Sequence, residues 1–299
     1  MAGLAAEARR SEVIRRHHDG RVRPGYPGAG GRERSRPFVV LATCVIDGLD
    51  LNWRAEIPKR DFAMRMTFRC DPKLTDHLAR PYPARTALPD WLRAMPAKAH
   101  SDIHDRDIRT VKQCPPFVDA MAYGVMIPLP CDIRVESGRF TWDWDIPEPA
   151  TSGHPRAPLS FHPVAQFAAA PFANGRSAIK FNSFWTIELE PGWSLFATHP
   201  VNRDDLPFRL VSGLVDADRF HDGGINFPAV WTQPDFSGVL EKGTPVAQCF
   251  AVPREAPELV FEVFDEAHQN SYAKVVADVL AAPNVYRKHF RAKRGRLTR

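Results

Sequence analysis

The sequence contains no run of about 18 apolar residues, the length that a membrane-spanning helix requires. Its best apolar stretch, Phe38 to Ile46, is too short to span a bilayer and lies too far from the first residue for an ordinary signal peptide. The five cysteines are scattered, and no two of them form a C-x-x-C pair. These absences argue against a membrane partner, a disulfide framework and a cysteine-based zinc site, and they predict a protein of the reducing cytoplasm.

With 299 residues, of which 44% are hydrophobic, the chain is long enough to bury a substantial core as one large domain or two small ones. Its 28 prolines favour short strands and loops over long helices. The net charge of +5 is carried largely by residues 1–36 and 287–299, which are crowded with arginine and lysine. Because such ends are more often solvated than bound, we do not expect a nucleic-acid partner, except through these two basic ends.

Three regions of the chain differ in composition. Residues 1–63 are rich in Arg, Gly, Ala and Pro without periodicity, which predicts either a disordered segment or an extension translated from upstream DNA. Residues 64–260 predict a β-rich core domain, because short apolar runs alternate there with Gly, Pro, Asn and Asp. Residues 261–299 predict one amphipathic helix, from Ala267 to Leu280, followed by a basic tail.

The clearest strand pattern lies between Pro191 and Pro253, where tight turns separate four apolar runs. The predicted strands are Trp193 to Ala197, Phe208 to Val211, Ile225 to Trp231 and Val246 to Val252.

Earlier in the chain, Pro89 and Asp90 predict the start of one short helix. The run from Thr110 to Asp119 predicts a strand that ends at a double proline. Residues 146–175 predict a long irregular connection.

Two short motifs of the strand-rich stretch carry a resemblance to a known superfamily. Gly213-Leu-Val-Asp-Ala-Asp218 is followed, about 25 residues later, by Lys242-Gly-Thr-Pro-Val-Ala-Gln248. In order and spacing, these segments resemble the third and fourth motifs of the dUTPase and dCTP deaminase superfamily, over about 60 of the 299 residues. The resemblance implies a mainly β protein with a β-clip core, to which the short N-terminal helix and the C-terminal helix are added. A double-stranded β-helix is the alternative architecture.

From about Met64 onward the chain also resembles an uncharacterised family of proteins from bacteria and tailed phages. The segments that carry this second resemblance are LPDWLRAMPAK, TVKQCPPFVDAM, IPLPCD, THPVNRDDLPF and KGTPVAQ. It implies no activity.

The first resemblance implies a catalytic position in the turn after Gly213. Asp216 corresponds to the acid that orients or activates the water attacking a nucleotide phosphate, and Asp218 is the neighbouring acid. The implied activity is nucleotide binding, with hydrolysis of a phosphate ester as its extension. Mg²⁺ would enter with the nucleotide, and a homotrimer with sites between subunits is the implied assembly.

The residues that would hold the nucleotide depart from the superfamily pattern. Gln248 matches the glutamine that lies by the phosphates, but Asn202 and Arg203 stand where the superfamily has a Ser-Gly phosphate loop. An arginine can grip a phosphate with two hydrogen bonds, so this exchange is chemically compatible with phosphate binding. Phe220 lies one place beyond the superfamily's aromatic stacking position, and the glycine-rich C-terminal segment is absent.

Two rival functions come from other features. His100-Ser-Asp102, joined by His199 or His221, has the ligand types of a non-haem iron oxygenase, although the charged residues next to it favour a solvated, salt-bridged loop. The phage-type resemblance fits a non-catalytic accessory or assembly module instead. That module would form a trimer or larger ring without an organised polar pocket.

Overall fold

A computed structural model describes residues 64–173 and 176–292 of the chain. Residues 1–63, predicted to be disordered or a spurious extension, lie outside the described residues. The described part is mainly β, which confirms the predicted class. In chain order its strands are β1 (Met66–Arg69), β2 (Tyr82–Pro83), β3 (Lys98–Ser101), β4 (Arg106–Arg109), β5 (Val125–Pro128), β6 (Ile133–Glu136), β7 (Arg139–Thr141), β8 (Leu159–Phe161), β9 (Ala178–Phe181), β10 (Thr186–Leu189), β11 (Trp193–Thr198), β12 (Phe208–Leu210), β13 (Gly213–Val215), β14 (Phe227–Trp231), β15 (Gly238–Leu240) and β16 (Pro245–Pro253).

The α-helices are α1 (Asp90–Ala94), α2 (Pro115–Ala122) and α3 (Glu266–Ala281). The predicted short helix and the predicted C-terminal helix correspond to α1 and α3. Among the described helices, none has the length and apolar character needed to cross a membrane. The four cysteines of the described part are free thiols, and burial raises the pKa of two of them, Cys131 and Cys249, to about 12.

Antiparallel pairing joins the described strands into five sheets, none of which closes into a barrel. The largest sheet has the order β13-β11-β16-β5-β2, and a four-stranded sheet has the order β12-β14-β9-β8. A three-stranded sheet, β15-β6-β7, and two ribbons, β1-β10 and β3-β4, complete the set. The sheets therefore follow the predicted mainly β class, and the specific β-clip architecture stays a prediction.

The main hydrophobic core lies beneath the central strands of the largest sheet. Leu195 of β11 and Cys249 of β16 are fully buried in it, together with Phe208 and Phe227 of the four-stranded sheet. Since β11 pairs with β13 on one side and β16 on the other, it holds both superfamily-like motifs in one sheet.

One predicted element is wrong. The run from Thr110 to Asp119 was expected to be a strand, but it contains a short 3-10 turn at Val111–Gln113 followed by α2. Pro115 and Pro116 occupy the first positions of that helix, where the missing N–H groups need no partner and the fixed φ suits a helix start. The double proline therefore begins a helix here and does not end a strand. The long connection of residues 146–175 also contains β8.

Candidate functional site

The turn that follows β13 brings the two predicted catalytic acids together around an arginine. The Ser194 hydroxyl donates to Asp216 Oδ1 over 2.7 Å, and Arg254 Nε donates to the same oxygen over 3.2 Å. Arg254 Nη2 also donates to Asp218 Oδ1, while the Gly192 N–H donates to Asp218 Oδ2 over 2.9 Å. We call these four side chains and the glycine the ion-pair cluster.

The ion-pair cluster holds both carboxylates in their charged form. The Ser194 hydrogen bond and the Arg254 charge lower the pKa of Asp216, and the Gly192 N–H followed by Arg254 lowers that of Asp218. The Asp218 side chain is only 7% exposed, whereas that of Asp216 is 51% exposed. Asp218 therefore serves to hold the turn. The Asp216 carboxylate is exposed to solvent, and its role in activating a water molecule stays a prediction.

The predicted glutamine, Gln248, belongs to β16 and pairs with Thr198 at the far end of β11. Gln248 is fully buried, and it accepts the Val201 N–H over 2.8 Å. Its amide nitrogen donates to the carbonyl oxygens of Ala120 and Tyr123 over 3.0 and 2.6 Å. These bonds tie β16 to the end of α2 and to the loop after β11, so this side chain presents no free group to a phosphate.

In the loop after β11, the predicted phosphate-binding arginine forms an ion pair within the loop. Arg203 Nε and Nη2 donate to the Asp205 carboxylate over 2.8 and 2.9 Å, and the Arg203 side chain is 12% exposed. Asn202 is exposed to solvent, and its backbone has a left-handed conformation with φ 58°. Ser194 and Thr198 are four residues apart in a strand, so the two ends of β11 are separated by about 13 Å. Asn202 and Arg203 follow the end of β11, whereas Asp216 is bonded to Ser194 near the start of that strand.

His199 has both ring nitrogens in hydrogen bonds to the backbone. The Leu210 N–H donates to Nδ1 over 3.3 Å, so Nε2 carries the proton and donates to the Arg203 carbonyl over 3.0 Å. Burial lowers the pKa of this histidine and keeps the neutral ring. His199 is thus a structural link between the loop and β12.

The predicted iron ligands are not assembled within the described residues. His100 belongs to the exposed β3–β4 hairpin, where its nearest acids are Asp102 at 3.7 Å and Asp107 at 3.9 Å. His221 pairs with Asp222 at 3.4 Å. In the described ranges no three His, Cys, Asp or Glu side chains are grouped as a metal site.

A cleft of about 450 Å³ lies beside the turn that contains the ion-pair cluster, and neither Asp216 nor Asp218 lines it. We call it the main cleft. Its walls come from four segments, which are residues 69–72, 151–155 and 183–186 and the pair Asp222 and Gly224. The last pair belongs to the loop between β13 and β14, so the turn held by the ion-pair cluster leads directly into the cleft wall.

The walls of the main cleft are fixed by buried polar contacts. Asp71 is 7% exposed, and its two oxygens accept the N–H groups of Lys73 and Thr151, each over 3.0 Å. Burial opposes the charge on Asp71, but backbone N–H donors outweigh it and lower the pKa. On the facing wall, the Ser183 hydroxyl donates to the Trp185 carbonyl over 2.6 Å. The loop of residues 151–155 is therefore held in a defined position.

Aromatic and charged side chains give the main cleft its chemistry. Phe184 stacks edge-on against Trp144 at 4.9 Å between ring centroids, and the His154 ring lies 5.5 Å from Phe184. Trp185 is partly exposed, with its indole N–H donating to the Ala79 carbonyl over 3.1 Å. Arg69, which is 53% exposed, stands at the rim in an ion pair with Glu188. The cleft thus combines an aromatic wall with a cation at its mouth.

Phe220, the predicted stacking residue, packs over Gly223. A Cβ placed on Gly223 would lie 2.2 Å from the Phe220 ring, so the glycine allows the ring to lie against the backbone. Phe220 remains 52% exposed. Its ring covers the loop beside the main cleft and does not line the cleft itself.

Neither the models of known protein families nor the curated proteins contain a match to this sequence. The dUTPase-like and phage-type resemblances therefore rest on the short motifs alone. A function for this protein is therefore inferred from the residues that line the main cleft.

Proposed function

We propose that this protein binds a nucleotide, and that the nucleotide lies in the main cleft. The observation that carries the proposal is the combination of an aromatic wall, an arginine at the rim and a polar loop around one concave surface. Small-molecule sites have volumes of about 300–1,000 Å³ and are mostly apolar with a few placed polar groups, a range that includes this cleft. Hydrolysis of the bound nucleotide is a separate step that this proposal does not require.

Each part of a nucleotide has a counterpart in the cleft. The partly exposed Trp185 offers a face for a base, because stacking on an aromatic ring is available to every base. Arg69 provides a planar guanidinium, which binds phosphate oxygens in pairs. The exposed side chains of Thr151 and Ser152, together with Asp222, offer hydrogen-bonding groups for a sugar or a base edge.

The β-clip architecture belongs to the same proposal. Its support is the placement of the two motifs on either side of one strand, with Leu214 of β13 and Phe250 of β16 both opposite Phe196 of β11. In this proposal the acids of the first motif brace the turn, and the loop beyond them forms part of the ligand site.

Calorimetric titration of the full chain with dUTP, dCTP and dTTP, with and without Mg²⁺, tests the proposal. We expect one nucleotide to bind, and Arg69→Ala to weaken it by about tenfold or more, since a hydrogen bond to a charged group contributes about 1.5–3 kcal/mol. Ser152→Trp, which fills the cleft from an exposed position, should also weaken binding.

Arg134→Ala is the matched control, because Arg134 is an exposed strand arginine paired with a glutamate, Glu136, as Arg69 is with Glu188. It should bind like the unaltered protein. Absence of binding to all three nucleotides, or equal affinity of the Arg69→Ala and Arg134→Ala variants, would refute the proposal.

A further inference from the structure

The segment that follows β16 exposes its apolar side chains instead of burying them. We call residues 255–292 the C-terminal arm and residues 64–254 the core domain. Nine apolar side chains of the arm are at least half exposed, and Phe261 and Val263 reach 91% and 95%. The full set is Leu259, Val260, Phe261, Val263, Phe264, Tyr272, Val279, Leu280 and Phe290.

Helix α3 of the arm has a regular apolar stripe that is left largely exposed. Four apolar residues follow helical spacing, namely Tyr272, Val275, Val276 and Val279. None of the sixteen residues of the helix is buried. Asp265 caps the helix by accepting the His268 N–H over 2.8 Å. Because a helix of this length draws most of its stability from packing of its apolar face, α3 needs a surface to pack on.

Both ends of the arm are attached to the core domain. At the start, Arg254 belongs to the ion-pair cluster, and its N–H donates to the Gly192 carbonyl over 2.9 Å. At the end, Arg291 binds the Asp119 carboxylate through Nε and Nη2 over 2.9 and 2.6 Å. The segment between these attachments therefore presents its apolar side chains outward.

The core domain has a matching apolar surface on the outer side of its largest sheet. Leu214, Phe196 and Phe250 form a row across three strands. Phe196 in the middle strand, β11, is directly opposite Leu214 of β13 and Phe250 of β16. Tyr123 extends this row by stacking on Phe250 at 5.9 Å between ring centroids. Leu214 and Tyr123 are 64% and 58% exposed. We call these four residues the sheet row.

The exposed apolar area of the arm is too large for an unpartnered surface. With side chains of roughly 150–200 Å² each, it amounts to something on the order of 1,000 Å². The largest apolar patch of a typical monomer covers about 300–600 Å², and each partner of a standard protein interface buries about 800 Å². The arm by itself has the area that a stable homo-oligomer requires.

We propose that the occupant is a second copy of this chain, and that the arm of one copy packs over the sheet row of another. One chain carries both surfaces, and the arm is held outward at both ends, so reciprocal exchange between copies buries both without any other partner. The run Leu259 to Phe264 would lie against the row, with α3 beside it. This inference does not depend on nucleotide binding.

Light scattering coupled to size-exclusion chromatography of the full chain tests the proposal. We expect a mass of at least two chains of 33.6 kDa each over a range of protein concentrations. The double variant Phe261→Glu/Val263→Glu and the single variant Leu214→Glu should each elute as monomers, because a charge then replaces an apolar contact in the interface. Ile103→Glu, at a 92% exposed residue of the β3–β4 hairpin, should assemble like the unaltered protein.

Mixing the two monomeric variants separates the proposed contact from a general loss of folding. Each variant retains the surface that the other lacks, so an equimolar mixture should recover an oligomer, whereas each variant alone remains monomeric. A monomeric wild-type chain would overturn the proposal and leave a different protein as the occupant. An oligomer that persists in both variants would also overturn it, since another surface would then hold the copies together.

Discussion

The two ends of strand β11 are stabilised in chemically different ways. At its start, charged groups meet near the surface, with Arg254 between Asp216 and Asp218. At its end, a fully buried neutral amide, Gln248, satisfies three backbone groups, and a neutral histidine bridges the loop to β12. Each end includes residues that the motifs mark as functional, which are Asp216 and Asp218 at the start and Gln248 at the end, yet at both ends the side-chain contacts are internal.

This difference determines how much each end depends on any single hydrogen-bonding partner. A charged cluster at the surface exchanges its contacts for water when one partner is lost, so its loss is partly compensated. A buried amide has no water to replace its partners, so its loss leaves donors and acceptors unsatisfied. The end of β11 at Gln248 should therefore be the more sensitive of the two.

Replacing Gln248 by leucine should give the largest effect on stability. The change keeps the volume but removes the three hydrogen bonds that the Gln248 amide makes to the backbone of Val201, Ala120 and Tyr123, at about 1–3 kcal/mol for each buried group whose bond is lost. We expect a loss of about 3 kcal/mol or more in the free energy of unfolding, measured by urea denaturation. The exposed Gln166→Ala serves as control, and a loss below about 1 kcal/mol would contradict the assigned role of the buried amide.

The two ends of β11 also differ in how tightly a nearby glycine is packed. Gly124 and Gly192 have φ +79° and +85°, but a Cβ on Gly124 would lie 2.4 Å from the Cys249 carbonyl oxygen, whereas Gly192 faces open space. Alanine at either position incurs the left-handed strain of about 1–2 kcal/mol. The clash adds about 1–3 kcal/mol at Gly124 only. Equal losses in thermal unfolding of the two variants would show that the packing around Gly124 is looser than described.

Breaking the ion-pair cluster should destabilise the protein less than the Gln248 substitution. Arg254→Gln removes the charge between two carboxylates, but Asp216 is half exposed to water and Asp218 retains the Gly192 N–H. We expect a drop in Tm that is measurable yet smaller than that of Gln248→Leu. Arg134→Gln, which breaks an exposed pair, should leave Tm unchanged. A drop in Arg254→Gln that exceeds the effect of Gln248→Leu would reverse the proposed order.

The two ends should also lose stability in different pH ranges. The folded-state pKa of Asp218 is lowered, so its contribution is present above its unfolded value of about 3.9 and is lost as the pH falls through the folded value. The pKa of His199 is also lowered, so its contribution is present above about 6.5 and declines as the pH falls, because the unfolded state takes up a proton first.

Comparison of Tm across pH for two variants measures these ranges. The difference between the wild-type chain and His199→Gln should shrink between about pH 7.5 and 5.5. The difference for Asp218→Asn should stay constant there and shrink only below about pH 4. If both differences changed over the same interval, the assignment of one charged and one neutral end would be wrong.

Local patterns of the sequence predict most of the elements around β11. The runs that begin at Trp193, Phe208 and Val246 become strands because turn residues bound each of them. The double proline at Pro115 is compatible with a strand end and with a helix start, so the local pattern predicts a strand where the structure has α2.

The main cleft could not be predicted from such patterns. Its walls come from segments far apart in the chain, and the β1–β10 pairing brings them together by placing Arg69 opposite Thr186. Asp71 shows no pattern that marks it as a loop anchor, because its partner Thr151 lies 80 residues away. Arg254 belongs to neither motif, and its two acidic partners lie 36 and 38 residues away in the chain. Its position directly after the strand of the second motif is the one signal in the sequence that points to it.

The most direct test of this account is a calorimetric titration of the Asp216→Asn variant with the nucleotide that binds the wild-type chain. In the proposed site the ligand lies in the main cleft, whereas Asp216 belongs to the neighbouring ion-pair cluster. We therefore expect a Kd within about twofold of the wild-type value, a difference well under 1 kcal/mol. A loss of affinity as large as that of Arg69→Ala would contradict the account and place the nucleotide against the acid of the motif.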